Sequence, residues 1–152
     1  MYNNESNLIA QNAFVGTWQL ISFEFRSSDG TVTNVMGTDV IGLLMYDSSG
    51  HMSGQMMRVD RPSFASGDQQ KGTPEEVKAA VDGYIAYFGD YEVDGANKTV
   101  IHHTKGAMFP NLVGKDQKRF YQFSGNQLTL TTPPTLTNGV TVTGVILWEK
   151  CG

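Results

Sequence analysis

Residues 16–25, Gly16-Thr17-Trp18-Gln19-Leu20-Ile21-Ser22-Phe23-Glu24-Phe25, decide how the chain is read. A glycine permits a tight backbone turn, and the indole two residues later offers a large apolar surface with a polar N–H, which suits a plug at the closed end of a sheet. Strict alternation puts Trp18 and Leu20 on one face with Ser22 and Glu24, and Ile21, Phe23 and Phe25 on the other. Neither face is purely polar, so both sides of this strand are expected to pack against something.

Working outward, the same alternation recurs between turn signals. Asp29-Gly30 leads to strands near 31–36 and 39–46, and Asp47-Ser48-Ser49-Gly50 closes the second of these and opens a strand at 50–58. After a loop at 59–72, long enough to form a lid or rim, Thr73-Pro74-Glu75-Glu76 supplies a capping threonine, proline at the first helical position and glutamate at the third. Val77, Ala80, Val81, Tyr84 and Phe88 then recur at helical spacing up to Gly89, predicting a helix over 73–88 that lies against the sheet. Further strands follow at 90–94, 98–105, 115–123, 127–132 and 140–149, with turns at Asp94-Gly95-Ala96-Asn97 and Ser124-Gly125-Asn126. The expected fold is all-β: an antiparallel barrel of eight to nine strands, wide enough for one small ligand, with one helix packed on it. Residues 1–13 form an N-terminal arm that covers the barrel floor through Leu8, Ile9 and Phe14, and 14–150 form a single domain.

Composition agrees. The chain has 152 residues, 17 glycines against 5 prolines, and 11 Lys plus Arg against 15 Asp plus Glu for a net charge of −4. That length fits one domain. No basic run interleaved with aromatics occurs, which argues against nucleic acid as a partner. No apolar run approaches the ~20 residues of a membrane span. The lone Cys151 cannot form an internal disulfide, and the polar start lacks the features of a signal peptide, so a cytoplasmic location is expected.

Several stretches together resemble the short microbial lipocalin-like domain family. They are Gly16-Thr17-Trp18 with Leu20 and Ser22-Phe23-Glu24, Gly50-His51-Met52-Ser53 with Arg58, Asp60-Arg61-Pro62, and Phe64-Ala65-Ser66-Gly67-Asp68. Tyr84-Ile85-Ala86-Tyr87-Phe88-Gly89 with Tyr91, His102-His103, Phe109-Pro110-Asn111, Leu128 to Pro134 and Leu147-Trp148-Glu149-Lys150 continue in the family's order. The resemblance spans about 14–150 and implies a lipocalin-type barrel with an internal cavity. Classical lipocalins stack a late arginine across the Gly-x-Trp indole; here the late basic residue is Lys150, a weaker stacking partner.

The candidate chemistry lies in a few polar residues. His102 and His103 are adjacent on a strand, so only one can face a cavity, and that one is the natural acid or base. Arg58 and Arg119 are candidates to stabilise negative charge, whereas Arg61 is expected to pair with its neighbour Asp60. Arg119 alternates with Tyr121 and Phe123, and an inward guanidinium there needs either Glu24 or a ligand carboxylate or enolate. Met52, Met56, Tyr84, Tyr87, Tyr121 and Trp148 are the expected apolar and hydroxyl lining. The histidines and one terminal cysteine do not make a metal set, and nucleotide, phosphate and nucleophile-elbow motifs are missing, so no metal or cofactor is expected.

Two functions fit. One is binding of a small, largely apolar molecule with a carbonyl, enol or carboxylate group. The other is cofactor-free cyclase, isomerase or hydrolase chemistry on such a molecule, with His102 or His103 as acid or base and Arg58 or Arg119 stabilising charge. The partner expected is that small molecule, with a homodimer left open.

Overall fold

The computed structural model describes residues 4–152. Strand β1 (Gly16–Ser27) begins at a glycine with φ of +140°, where a Cβ would lie 2.7 Å from the Gly152 carbonyl oxygen and 2.8 Å from Lys150 Cε. Only glycine lets the chain turn this closely beneath the C-terminus. Strands β2 (Val32–Asn34), β3 (Ile41–Tyr46), β4 (His51–Met57), β5 (Tyr84–Asp94), β6 (Thr99–Ala107), β7 (Asp116–Ser124), β8 (Gln127–Thr131), β9 (Thr135–Thr137) and β10 (Val140–Lys150) follow.

All pairings between the strands are antiparallel, and β1 pairs with both β3 and β10, closing β1, β3–β8 and β10 into an eight-strand barrel. The short β2 and β9 extend one end of β1 and β10. Closure leaves the barrel strands with a neighbour on each side.

Strand β1 departs from strict alternation. Its register against β10 shifts between Leu20, opposite Trp148, and Ser22, opposite Leu147, which makes Ile21 the extra residue of a bulge. The bulge reverses the parity, so Phe23 joins Trp18 and Leu20 in the core, while Ser22 and Glu24 leave the face expected for them.

The expected arm is a helix, α1 (Asn4–Phe14), with Glu5 favourably placed in its first turn; residues 1–3 of that arm lie outside the described residues. Phe14 is fully buried, but Leu8 and Ile9 are exposed instead of covering the floor. Phe14 meets Tyr46, Tyr121 and Phe123 edge-on, and its carbonyl accepts the Trp18 Nε1–H at 2.8 Å. Lys150 Nζ sits 5.5 Å from the Trp18 ring, so lysine does take the cation position over the indole.

The second helix is shorter than expected. Helix α2 (Pro74–Asp82) starts with the full capping box: Thr73 accepts from the Glu76 amide and Glu76 accepts from the Thr73 amide. It stops at Gly83, and Tyr84–Phe88 pair with Met57–Ser53 as strand β5. Tyr84, Ile85, Tyr87 and Phe88 are β-formers, and the free edge of β4 offers them a ladder that outweighs a helical period two turns long. Helix α2 touches β5, but Val77 and Val81 remain half-exposed and none of its residues is buried.

Candidate functional site

A cavity of ≈ 240 Å³ occupies the barrel half away from the α1-covered floor. Its walls are alternate residues of facing strands: Leu44 from β3, Met52 and Met56 from β4, Tyr87 from β5, His102 from β6, and Ile146 and Trp148 from β10. Phe109, just before the 3-10 turn at Pro110–Leu112, and Leu112 at its end also line it; Phe109 is 59% exposed, which puts this turn at the mouth. Pro110 fixes the turn's first φ, and the Leu112 and Val113 amides close back on Phe109 and Pro110.

His102 is 2% exposed and bound on both ring nitrogens, with Nε2 2.7 Å from the Tyr46 hydroxyl and Nδ1 2.7 Å from the Tyr87 hydroxyl. Burial, reinforced by the nearby Arg119 charge, lowers its pKa to about 3, so the imidazole is neutral at physiological pH. Burial likewise raises the Tyr46 and Tyr87 pKa values, with Arg119 opposing the shift at both. The two phenols and the imidazole thus form one uncharged hydrogen-bonded chain.

Arg119 lines the cavity and donates from one terminal nitrogen to the Lys118 carbonyl at 2.8 Å. Of the two partners considered for it, Glu24 is engaged elsewhere, accepting from Arg26 at 2.9 Å. Among the described residues no carboxylate forms an ion pair with Arg119, and no Asp or Glu lines the cavity. Trp148 Nε1–H is buried and has no hydrogen-bond partner among the described residues. The one charged lining residue, Arg119, and the unused Trp148 N–H are thus both donors, beside the amides of Gln55 and Gln117 and the Thr132 hydroxyl, which can also accept.

His103, Arg58, Arg61 and Tyr121 lie elsewhere. Adjacent strand residues point to opposite sides, so His103 faces outward, held between Asp116 and Glu92, which raise its pKa. Arg58 grips Asp60 through two bonds of 2.9 and 3.0 Å at the surface. Arg61, expected on Asp60, instead donates to the Ala80 carbonyl at 3.1 Å and lies 5.0 Å from the Tyr84 ring centroid. Tyr121 belongs to the floor cluster around Phe14 and does not line the cavity. Met52, Met56, Tyr84, Tyr87 and Trp148 do line it, the two tyrosines from a strand and not from a helix.

Sequence reasoning missed Tyr46, Phe23 and the Phe109 turn. Tyr46 carried a usable signal, since Leu44 and Tyr46 alternate opposite the register that buries Trp18. Phe23 had none, because its inward position depends on the bulge. Among the described residues no group of three or more His, Cys, Asp and Glu is placed to hold a metal ion. No helix among them is long and apolar enough to cross a membrane.

A family model described as a lipocalin-like domain matches residues 15–151. The chain belongs to the lipocalin-like domain family. Among its relatives, the 4'-hydroxy-3'-methoxypropiophenone carrier protein of Aspergillus oryzae is 30% identical over 106 residues, which cover 65% of this chain and 96% of that protein. This lipocalin-like chain therefore aligns over 65% of its length with a protein named for carrying a small molecule.

Proposed function

We propose that this protein carries a small, largely apolar molecule bearing a carbonyl, enol or carboxylate group, of the kind found in natural-product pathways. One observation carries the reading: an apolar cavity of ≈ 240 Å³ whose wall holds an arginine without an acidic partner and no carboxylate of its own. That volume lies below the ~300–1,000 Å³ of typical drug-sized sites, which favours a molecule with one ring and a short side chain. The named cargo of the Aspergillus relative, a hydroxylated aryl ketone, has this size and chemistry.

Carriage is favoured over acid–base catalysis. A histidine with a pKa of about 3 and both nitrogens engaged is a poor proton carrier near neutrality. The second expected histidine and Arg58 face solvent. Isothermal titration with 4'-hydroxy-3'-methoxypropiophenone tests the reading. Saturable one-to-one binding, with the compound recovered unchanged, supports it; turnover of the compound, or no binding of it and of related aryl ketones, removes it.

A further inference from the structure

A neutral imidazole has one N–H and one lone pair, so of the two phenols that clasp His102 one donates to the ring and the other accepts from it. The two arrangements are not equivalent. If Nε2 carried the proton, the Tyr46 oxygen would accept, and its own O–H would have to find another acceptor. Tyr46 is 2% exposed and packed against Phe14 and Tyr91, and among the described residues its hydroxyl has no second hydrogen-bond partner. A buried O–H without an acceptor costs more than an acceptor that leaves a lone pair unused. If Nδ1 carries the proton, Tyr46 donates to Nε2 and Nδ1–H donates to the Tyr87 oxygen. The Tyr87 proton is then released from the chain, on a residue that lines the cavity and has no other hydroxyl partner.

We infer that His102 is held as its Nδ1–H tautomer, and that this turns the Tyr87 O–H into the cavity as the donor that recognises a ligand carbonyl oxygen. The ligand half of this inference rests on the cavity being the binding site proposed above; the tautomer does not. Two further groups on the wall have the same polarity, whereas Gln55, Gln117 and Thr132 can donate or accept. Arg119 can only donate, and the Trp148 N–H is unused. With no carboxylate to receive an ammonium or pair with a cation, the cavity is matched to aryl ketones and related carbonyl compounds and mismatched to amines. Tyr46, which does not line the cavity, is a positioning residue: it acts on the ligand only by fixing which nitrogen of His102 keeps its proton.

Two measurements test this on the whole chain. Long-range proton–nitrogen correlation spectra of the ligand-free, nitrogen-15-labelled protein should show His102 neutral and protonated on Nδ1; protonation on Nε2 overturns the inference whatever the cavity binds. Titrations then compare 4'-hydroxy-3'-methoxypropiophenone with 2-methoxy-4-propylphenol, which has a methylene in place of the carbonyl. The native protein should prefer the ketone by about tenfold, the ratio expected for one hydrogen bond. Tyr87→Phe should erase that preference, with near-ultraviolet circular dichroism showing that the variant is folded. A ketone preference that survives Tyr87→Phe, or loss of both affinities in parallel in a folded variant, overturns the donor role. Failure of both compounds and of related aryl ketones to bind the native protein removes the carrier reading and the ligand half with it, while the tautomer measurement still stands or falls by itself.

Discussion

At the floor of the barrel, Phe14 meets Tyr46, Tyr121 and Phe123 at centroid distances of 5.2, 4.9 and 5.0 Å, and Trp18 is bonded to the Phe14 carbonyl. At the other end Tyr84, Tyr87 and Phe109 stand around open space. The residue types are the same, and the difference is whether the rings reach each other. Edge-on pairs add about 0.5–1.5 kcal/mol each beyond burial, whereas atoms lining a void forgo their dispersion partners on one side. The floor holds the barrel together, and the far end keeps unmet contacts that a ligand can supply.

The contrast can be broken first at the floor. Phe14→Ala removes the ring that three others pack on and should cost about 4 kcal/mol, as for other buried Phe→Ala changes, read as a lower urea midpoint. A loss under about 1 kcal/mol would mean that α1 merely rests on the floor.

Acid sharpens it next, through the neutral chain at the cavity's base. A histidine whose folded pKa is about 3 binds fewer protons folded than unfolded, so stability falls as pH drops below the ordinary value of 6.5. Between pH 6.5 and 4.5 that amounts to about 2–3 kcal/mol. Denaturant midpoints of the native protein and His102→Gln across this range should differ in slope by that amount; parallel curves would mean that His102 charges freely in the fold.

Filling the void is a smaller perturbation with an opposite signature. Ile85 alternates with Tyr87 on β5 and lines the cavity, and Ile85→Trp should weaken aryl-ketone binding by at least about tenfold while changing stability by less than about 1 kcal/mol. Equal loss of stability would show that the space is already needed for packing.

The smallest effect belongs to the neighbouring histidine. Asp116 and Glu92 raise the His103 pKa, so its contribution is present below the ordinary value of 6.5 and is lost as pH rises through the folded value. Its side chain is well solvated, and screening keeps the contribution below about 1 kcal/mol. His103→Gln should flatten that slight decline and leave ligand affinity unchanged.

Two histidines one residue apart thus have their pKa values shifted in opposite directions, and the sequence could say only that they differ. Which of them faces inward depends on the register of β6 against β5 and β7, which places His102 opposite Tyr91 and Gln117. The barrel itself was legible, because turns such as Asp47-Ser48-Ser49-Gly50 and Ser124-Gly125-Asn126 punctuate alternating runs and need only local chemistry. The start of α2 was legible for the same reason, its capping box lying within four residues. Its end was not: Tyr84 and Phe88 fit a helical period, and only the waiting edge of β4 makes them a strand. The bulge at Ile21 was also invisible, since one inserted residue changes no composition and reverses every face beyond it. The local signals therefore carried the architecture, while the cavity's chemistry came from long-range pairing.

The packed floor also has a kinetic meaning. With Phe14 and Trp18 buried at one end and the exposed Phe109 turn at the other, the floor gives an incoming molecule no path by which to push a resident one out from behind. Exchange must wait for spontaneous departure past Phe109, and the observed displacement rate should reach a plateau that no excess of competitor can raise.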